Sequence, residues 1–149
     1  MRVAGHSVSV EVPAGWEARI TKRGSGPVLH LATFPLYASD GDFGAAATGR
    51  MSAGDVFAAL VEYRDPAKMR PRVGLFAPAG LPTAPRADEF APMYLQVTRV
   101  GQLGWQRFFT AAQRTCSLYA VIKPGQEPPG ALVRRLGSVL ATLQLDAMA

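Results

Sequence analysis

The clearest helical period in the chain lies near its end, and it constrains the fold more than any other feature. Leu132, Val133, Leu136, Val139, Leu140 and Leu143 fall on one stripe of an α-helix, while Arg134, Ser138 and Ala141 take the opposite side. Pro128 and Pro129 fit the first turn, whose amides have no intrahelical acceptor, and Glu127 complements the positive helix end. One amphipathic helix cannot bury its own apolar face, so the rest of the chain must supply the surface it packs on.

Upstream, the patterned segments alternate with period two. In residues 7–12, Val8, Val10 and Val12 share one face, and Ser7, Ser9 and Glu11 share the other, as in a half-buried strand. Pro13-Ala14-Gly15 supplies turn chemistry. Trp16, Ala18 and Ile20 then alternate with Glu17, Arg19 and Thr21, so the two segments read as a hairpin or a bend. A Gly-rich turn over 22–27 leads to a third strand over 28–34. Residues 37–54 are rich in small side chains, and 43–51 suits a strand or a helical turn. Residues 56–63 are apolar on both faces, which fits a central strand or a buried helix; β-branched and aromatic content favours the strand. Runs at 95–100, 105–112 and 116–123 also read as strands. The last two are joined by a hairpin turn without an Asn-Gly signal.

The expected fold class is α+β, an antiparallel sheet of about six strands covered by the C-terminal helix. No segment repeats another and no composition shift marks a boundary. The 149 residues therefore read as one domain, able to bury roughly two-thirds of its unfolded surface.

Periodicity disappears over 64–92, where six of the 12 prolines fall. A connection this long is a functional excursion or a mobile segment. Lys68, Arg70 and Arg72 make it locally basic, and with Phe76 they are the candidate partner-binding residues. Val73, Leu75 and Phe76 also permit the opposite reading, in which the segment tucks back and covers a sheet edge.

A net charge of +5 and a pI near 9.9 invite a polyanion partner. However, 13 of the 16 basic residues are arginines scattered among acids, so any nucleic-acid binding should be weak and salt-sensitive, and a specific nucleic-acid partner is not expected. One cysteine and two histidines make neither a disulfide nor a structural zinc site, and no cofactor is expected. The start lacks a signal-peptide core, and no run approaches the ~18 apolar residues of a membrane span. The expected location is cytoplasmic, with no membrane partner.

No residue set matches a catalytic motif. His6 lies in a short N-terminal stub, and His30 shares a strand face with Val28, Ala32 and Phe34, as a hydrogen-bonded core histidine would. Cys116 falls with Leu118, Ala120 and Ile122 and reads as an inert small hydrophobe. Gly24-Ser25-Gly26 lacks the Lys and Ser/Thr of a phosphate loop. Asp40, Asp42 and Asp55 lack calcium-loop spacing. Phe108 and Phe109 beside Arg107 resemble a base-stacking surface, yet consecutive strand residues face opposite ways, so at least one of them is core.

The opening Val8-Ser9-Val10-Glu11-Val12-Pro13-Ala14-Gly15-Trp16 resembles the first strand of the PsbP-like superfamily of α/β/α sandwiches. The final strand and helix, ending Val139-Leu140-Ala141-Thr142-Leu143, resemble that superfamily's close, and about 30 residues at the two ends carry the likeness. It implies a sheet covered by the last helix and an assembly or partner-binding role, without a shared catalytic set. The composition also resembles that of uncharacterised proteins from GC-rich actinobacteria. The leading functional expectation is a non-catalytic protein-interaction or accessory module, using the Pro-rich excursion or an exposed sheet edge. The alternatives are a small-ligand-binding protein or unrecognised enzyme, and a weak polyanion binder. A sheet edge also offers a route to a homo-oligomer.

Overall fold

The computed structural model describes residues 1–23, 26–64 and 70–147. Along them run β1 (Arg2–Gly5), β2 (Val8–Glu11), β3 (Glu17–Arg23), β4 (Gly26–Ala32), the single-turn helix α1 (Ala45–Thr48), β5 (Val56–Tyr63), β6 (Leu103–Ala111), β7 (Arg114–Ile122), helix α2 (Pro129–Leu140) and β8 (Gln144–Leu145). The fold is α+β, and every pairing between these strands is antiparallel.

The strands form two sheets where one was expected, in the orders β1-β2-β8 and β3-β4-β5-β7-β6. The break falls at Pro13, which has no N–H for a ladder, and at Gly15, whose φ of 85° turns the chain. Segments 7–12 and 16–21 are thus a bend between sheets, and β2 pairs instead with β1 and β8. The stub holding His6 is the first arm of a hairpin. His6 and Ser7 have φ of 52° and 61°, and Ala112 and Gln113 between β6 and β7 have 51° and 60°. Both are two-residue turns whose left-handed residues follow the strand twist.

Residues 95–100 do not form the expected strand. The edge of β6 that such a strand would pair with is taken, because Ala91 and Gly104 exchange backbone bonds of 2.9 and 3.0 Å. A 3-10 turn at Pro92–Tyr94 then lifts the chain away, and the Gln96 N–H donates to the Tyr119 hydroxyl at 2.8 Å. Gly104 permits this approach, since a Cβ there would stand 2.8 Å from the Leu95 nitrogen.

The five-stranded sheet is covered on both faces, which explains the unbroken apolar run of β5. On one face Leu29, Leu31, Leu60, Leu118 and Ile122 pack with Leu132, Leu136 and Leu140 of α2 and with Val8 and Val10 of β2. All six residues of the expected helical stripe are buried. On the other face Val28, Ala32, Phe57, Tyr119 and Val121 lie with Leu36, Ala47 and Met51. The undecided region around 43–51 is therefore a helical turn serving as a lid. Its entry residue, Gly44, has φ 66° and sits where a Cβ would come within 2.2 Å of the Phe57 ring. No helix among the described residues is long and apolar enough to cross a membrane.

Candidate functional site

The described part of the Pro-rich segment, from residue 70 onward, lies against edge strand β6. Thr110 makes four hydrogen bonds to it. Its hydroxyl accepts from the Arg72 N–H and donates to the Phe76 carbonyl, both at 2.8 Å. Its N–H donates to the Pro78 carbonyl and its carbonyl accepts from the Gly80 N–H, also at 2.8 Å. Phe76 is only 4% exposed and packs between the rings of Tyr63 and Phe108, at 5.6 and 5.9 Å. Phe90 is buried farther along, stacked on Trp105.

Between the Arg72 and Phe76 bonds to Thr110 the loop turns outward. Arg72 holds φ 63°, a costly conformation for a residue with a Cβ, and Gly74 follows at 60°. Val73 and Leu75 are 58% and 61% exposed, and Arg70 and Arg72 are also exposed. Neither arginine is in an ion pair among the described residues. Of the four candidate partner-binding residues, the structure thus brings Arg70 and Arg72 to one surface. Phe76 is a buried anchor instead of a contact residue, because the aromatic pair beneath it gives it a place in the core. Lys68 lies outside the described residues, as do Gly24 and Ser25.

Two hollows accompany this loop elsewhere on the surface. One of about 430 Å³ lies between Val12, Pro13 and Trp16 on one wall and Val139 and Thr142 of α2 on the other, with Arg135 at the rim. The second, about 310 Å³, lies where Leu81 and Pro82 cross β6. There Arg107 pairs with Glu89 at 3.0 Å and lies over the Trp105 ring, whose N–H donates to Glu89 at 3.2 Å. The Arg86 N–H and these partners outweigh burial and hold the Glu89 carboxyl below its usual range. The three aromatics around Arg107 are thus divided between the two sheet faces, with Phe108 against Phe76 and Phe109 buried on the α2 side.

The remaining sequence candidates are structural. His30 is buried, its Nε2 is 2.9 Å from the Asp42 carbonyl, and its ring meets Phe57 edge-on. Asp40 accepts two bonds from Arg50, at 2.7 and 3.0 Å, and one from the Tyr37 N–H. Burial pushes its carboxyl up, but these donors outweigh burial and hold it below the usual range. Asp55 accepts from the Thr33 hydroxyl and the Ser52 N–H. Among the described residues no three His, Cys, Asp or Glu side chains group as metal ligands. Cys116 is fully buried, and burial, with the Glu62 carboxylate as a smaller cause, pushes its thiol up to about 12.

The sequence reading missed one polar site, the pairing of Glu62 with Arg114 inside the α2-side core. Its signal was Glu62 itself, the only charged residue in the apolar run 56–63. No protein-family model, curated protein or solved structure matches the chain.

Proposed function

We propose that the protein is a non-catalytic binding module, an accessory component that docks an acidic protein partner through the loop at residues 70–75. One observation supports this reading. Val73 and Leu75 are exposed just after Arg70 and Arg72, which are in no ion pair among the described residues, on a loop that Thr110 and Phe76 tie down at both ends. A floppy loop would lose much of its contact energy to ordering; a tethered one has met that cost on folding. Exposed apolar side chains beside like charges match a surface that carries an apolar patch next to acidic groups. The PsbP-like resemblance agrees with an accessory role.

The test is site-specific photo-crosslinking in cells from position 73, with Arg70→Glu/Arg72→Glu as the comparison. The reading expects one crosslinked protein species that the charge reversal removes while the melting temperature stays the same. A species that persists after charge reversal, or no species at all, sinks it. Recovery of nucleic acid in place of protein favours the polyanion alternative.

The hollow at Trp16 supports a second reading, a small-ligand site. Its volume of about 430 Å³ lies within the roughly 300–1,000 Å³ of ligand pockets, and an indole forms part of its wall. An apolar fluorescent dye should be displaced from the wild type by such a ligand and should not bind Val139→Arg.

A further inference from the structure

The five-stranded sheet has two edges of different character. The β6 edge is closed by the Pro-rich segment, through the bridges Ala79–Thr110 and Ala91–Gly104. Among the described residues all seven positions of β3 pair with β4 and no other backbone bond reaches 17–23, although Gly5 of β1 lies against the Ile20 side chain.

Which β3 groups face outward follows from its register. Lys22 stands opposite Pro27, which has no N–H to give. That pair is therefore a non-hydrogen-bonded one, and in an antiparallel ladder the two kinds alternate. Arg19 and Thr21 then bond to His30 and Val28, while Ala18, Ile20 and Lys22 direct their N–H and C=O groups away from the sheet. An unpaired row of this length is a template for another strand.

We infer that this edge is a second docking site, which takes an extended acidic segment of a protein partner as an added strand. Charge selects the occupant. Arg19 and Lys22 are exposed and in no ion pair among the described residues, whereas Glu17 is engaged in accepting the Leu36 N–H at 3.2 Å. Arg19 and Lys22 lie on opposite faces of β3, so an incoming strand meets both cations when it carries carboxylates on both of its own faces, and main-chain bonds would supply the rest of the affinity. A second copy of β3 would instead bring another Arg19 and Lys22 into the same seam, so the basic edge admits an acidic strand and disfavours itself. This site is separate from the loop at 70–75 and does not depend on it.

The experiment is residue-resolved amide hydrogen exchange by NMR, titrating a synthetic ten-residue peptide of repeating Glu-Glu-Val-Val, which presents carboxylates on both faces of a strand. The expected result is about tenfold slower exchange at the Ala18, Ile20 and Lys22 amides, with little change at Arg19 and Thr21, which are already bonded. Arg19→Glu/Lys22→Glu should abolish the effect, and so should Ala18→Pro, which removes one outward N–H from an edge strand that tolerates the loss. Arg70→Glu/Arg72→Glu should leave it intact, which separates this site from the docking loop. Slowing spread evenly over the basic surface overturns the inference, as does slowing that survives charge reversal or no slowing at millimolar peptide. Sedimentation showing a dimer that Ala18→Pro dissolves overturns it as well, in favour of a second copy.

Discussion

Arg114 and Glu62 form a buried pair in which all five N–H donors of the guanidinium are used. Nε and Nη2 donate to the two carboxylate oxygens at 3.1 and 2.8 Å. The other three reach the carbonyls of Ser7, Asp146 and His6 at 3.1, 2.9 and 3.1 Å. One side chain on β7 therefore ties β5 to the turn between β1 and β2 and to the residue after β8. It joins the small sheet to the large one.

Glu62 should make stability pH-dependent on the acid side. Burial pushes its carboxyl up, but hydrogen bonds from Arg114 and Arg64 outweigh this and hold it below the ordinary value of 4.5. A carboxylate depressed in the folded state contributes stability that is complete above the unfolded value and lost as pH falls through the folded one. Urea midpoints should thus fall as pH drops below about 4.5. Glu62→Gln should be less stable at pH 7 and should show a shallower acid decline; an unchanged slope would assign the acid sensitivity to Asp40 and Glu89.

Removing one partner should cost more than removing an exposed pair. Glu62→Leu strands a buried guanidinium and should lose about 3–5 kcal/mol in equilibrium unfolding, whereas Arg114→Met leaves Glu62 with Arg64 at 3.0 Å and should lose less. The double variant should lose less than the sum, because neither charge is left alone. It should still fall short of wild type, since the His6, Ser7 and Asp146 carbonyls lose their donor, and fast exchange should localise to β1 and β2. A double variant as stable as wild type would mean those carbonyl bonds contribute nothing.

The elements legible in the sequence are those whose period comes from burial on one face or two. The six strands from β2 to β7 and helix α2 all follow the runs of Val, Leu, Ile and aromatics that line the two cores. β1 and β8 were not legible because four and two residues carry no period. The run at 95–100 misled because the β6 edge is already taken by Ala91, so Leu95 packs against the core without pairing and Val100 is left exposed. At the candidate site Arg70 and Arg72 were legible as local charge, but the fate of Phe76 was set by Tyr63 and Phe108, which are distant in sequence. The same holds for Arg114, whose acceptors lie up to 108 positions away.

Gly44 should be the least replaceable glycine of the lid. Gly44→Ala combines a positive φ with a Cβ only 2.2 Å from the Phe57 ring, whereas Gly54→Ala has φ 93° but open space around it. The second change should cost about 1–2 kcal/mol from backbone conformation alone. The first should cost visibly more in thermal unfolding and should broaden the Phe57 and His30 side-chain NMR signals. Equal costs would show that the lid can shift aside.

Cys116 should react slowly with a thiol reagent in the native state and quickly after denaturation. Its thiol is fully buried and pushed up to about 12, so at neutral pH the reactive thiolate is scarce as well as covered. Native labelling at the denatured rate would mean that β7 opens far more readily than its fully buried position implies.

Thr110 should decide whether the docking loop is presented or merely attached. Thr110→Val keeps the shape and the backbone bonds to Pro78 and Gly80, but it removes the hydroxyl that joins the Arg72 N–H to the Phe76 carbonyl. Stability should fall by about 1–3 kcal/mol, since two backbone groups lose their partner. The larger consequence should be for binding: without the tether, the left-handed φ at Arg72 has nothing to hold it, and Val73 and Leu75 must be ordered when the partner arrives. Crosslinking from position 73 should weaken severalfold while charge reversal at β3 leaves it unchanged. Thr110→Ser, which restores the hydroxyl, should recover both stability and crosslinking. If Thr110→Val loses stability yet crosslinks at the wild-type level, the loop binds through its charges alone and its rigidity is irrelevant to the partner.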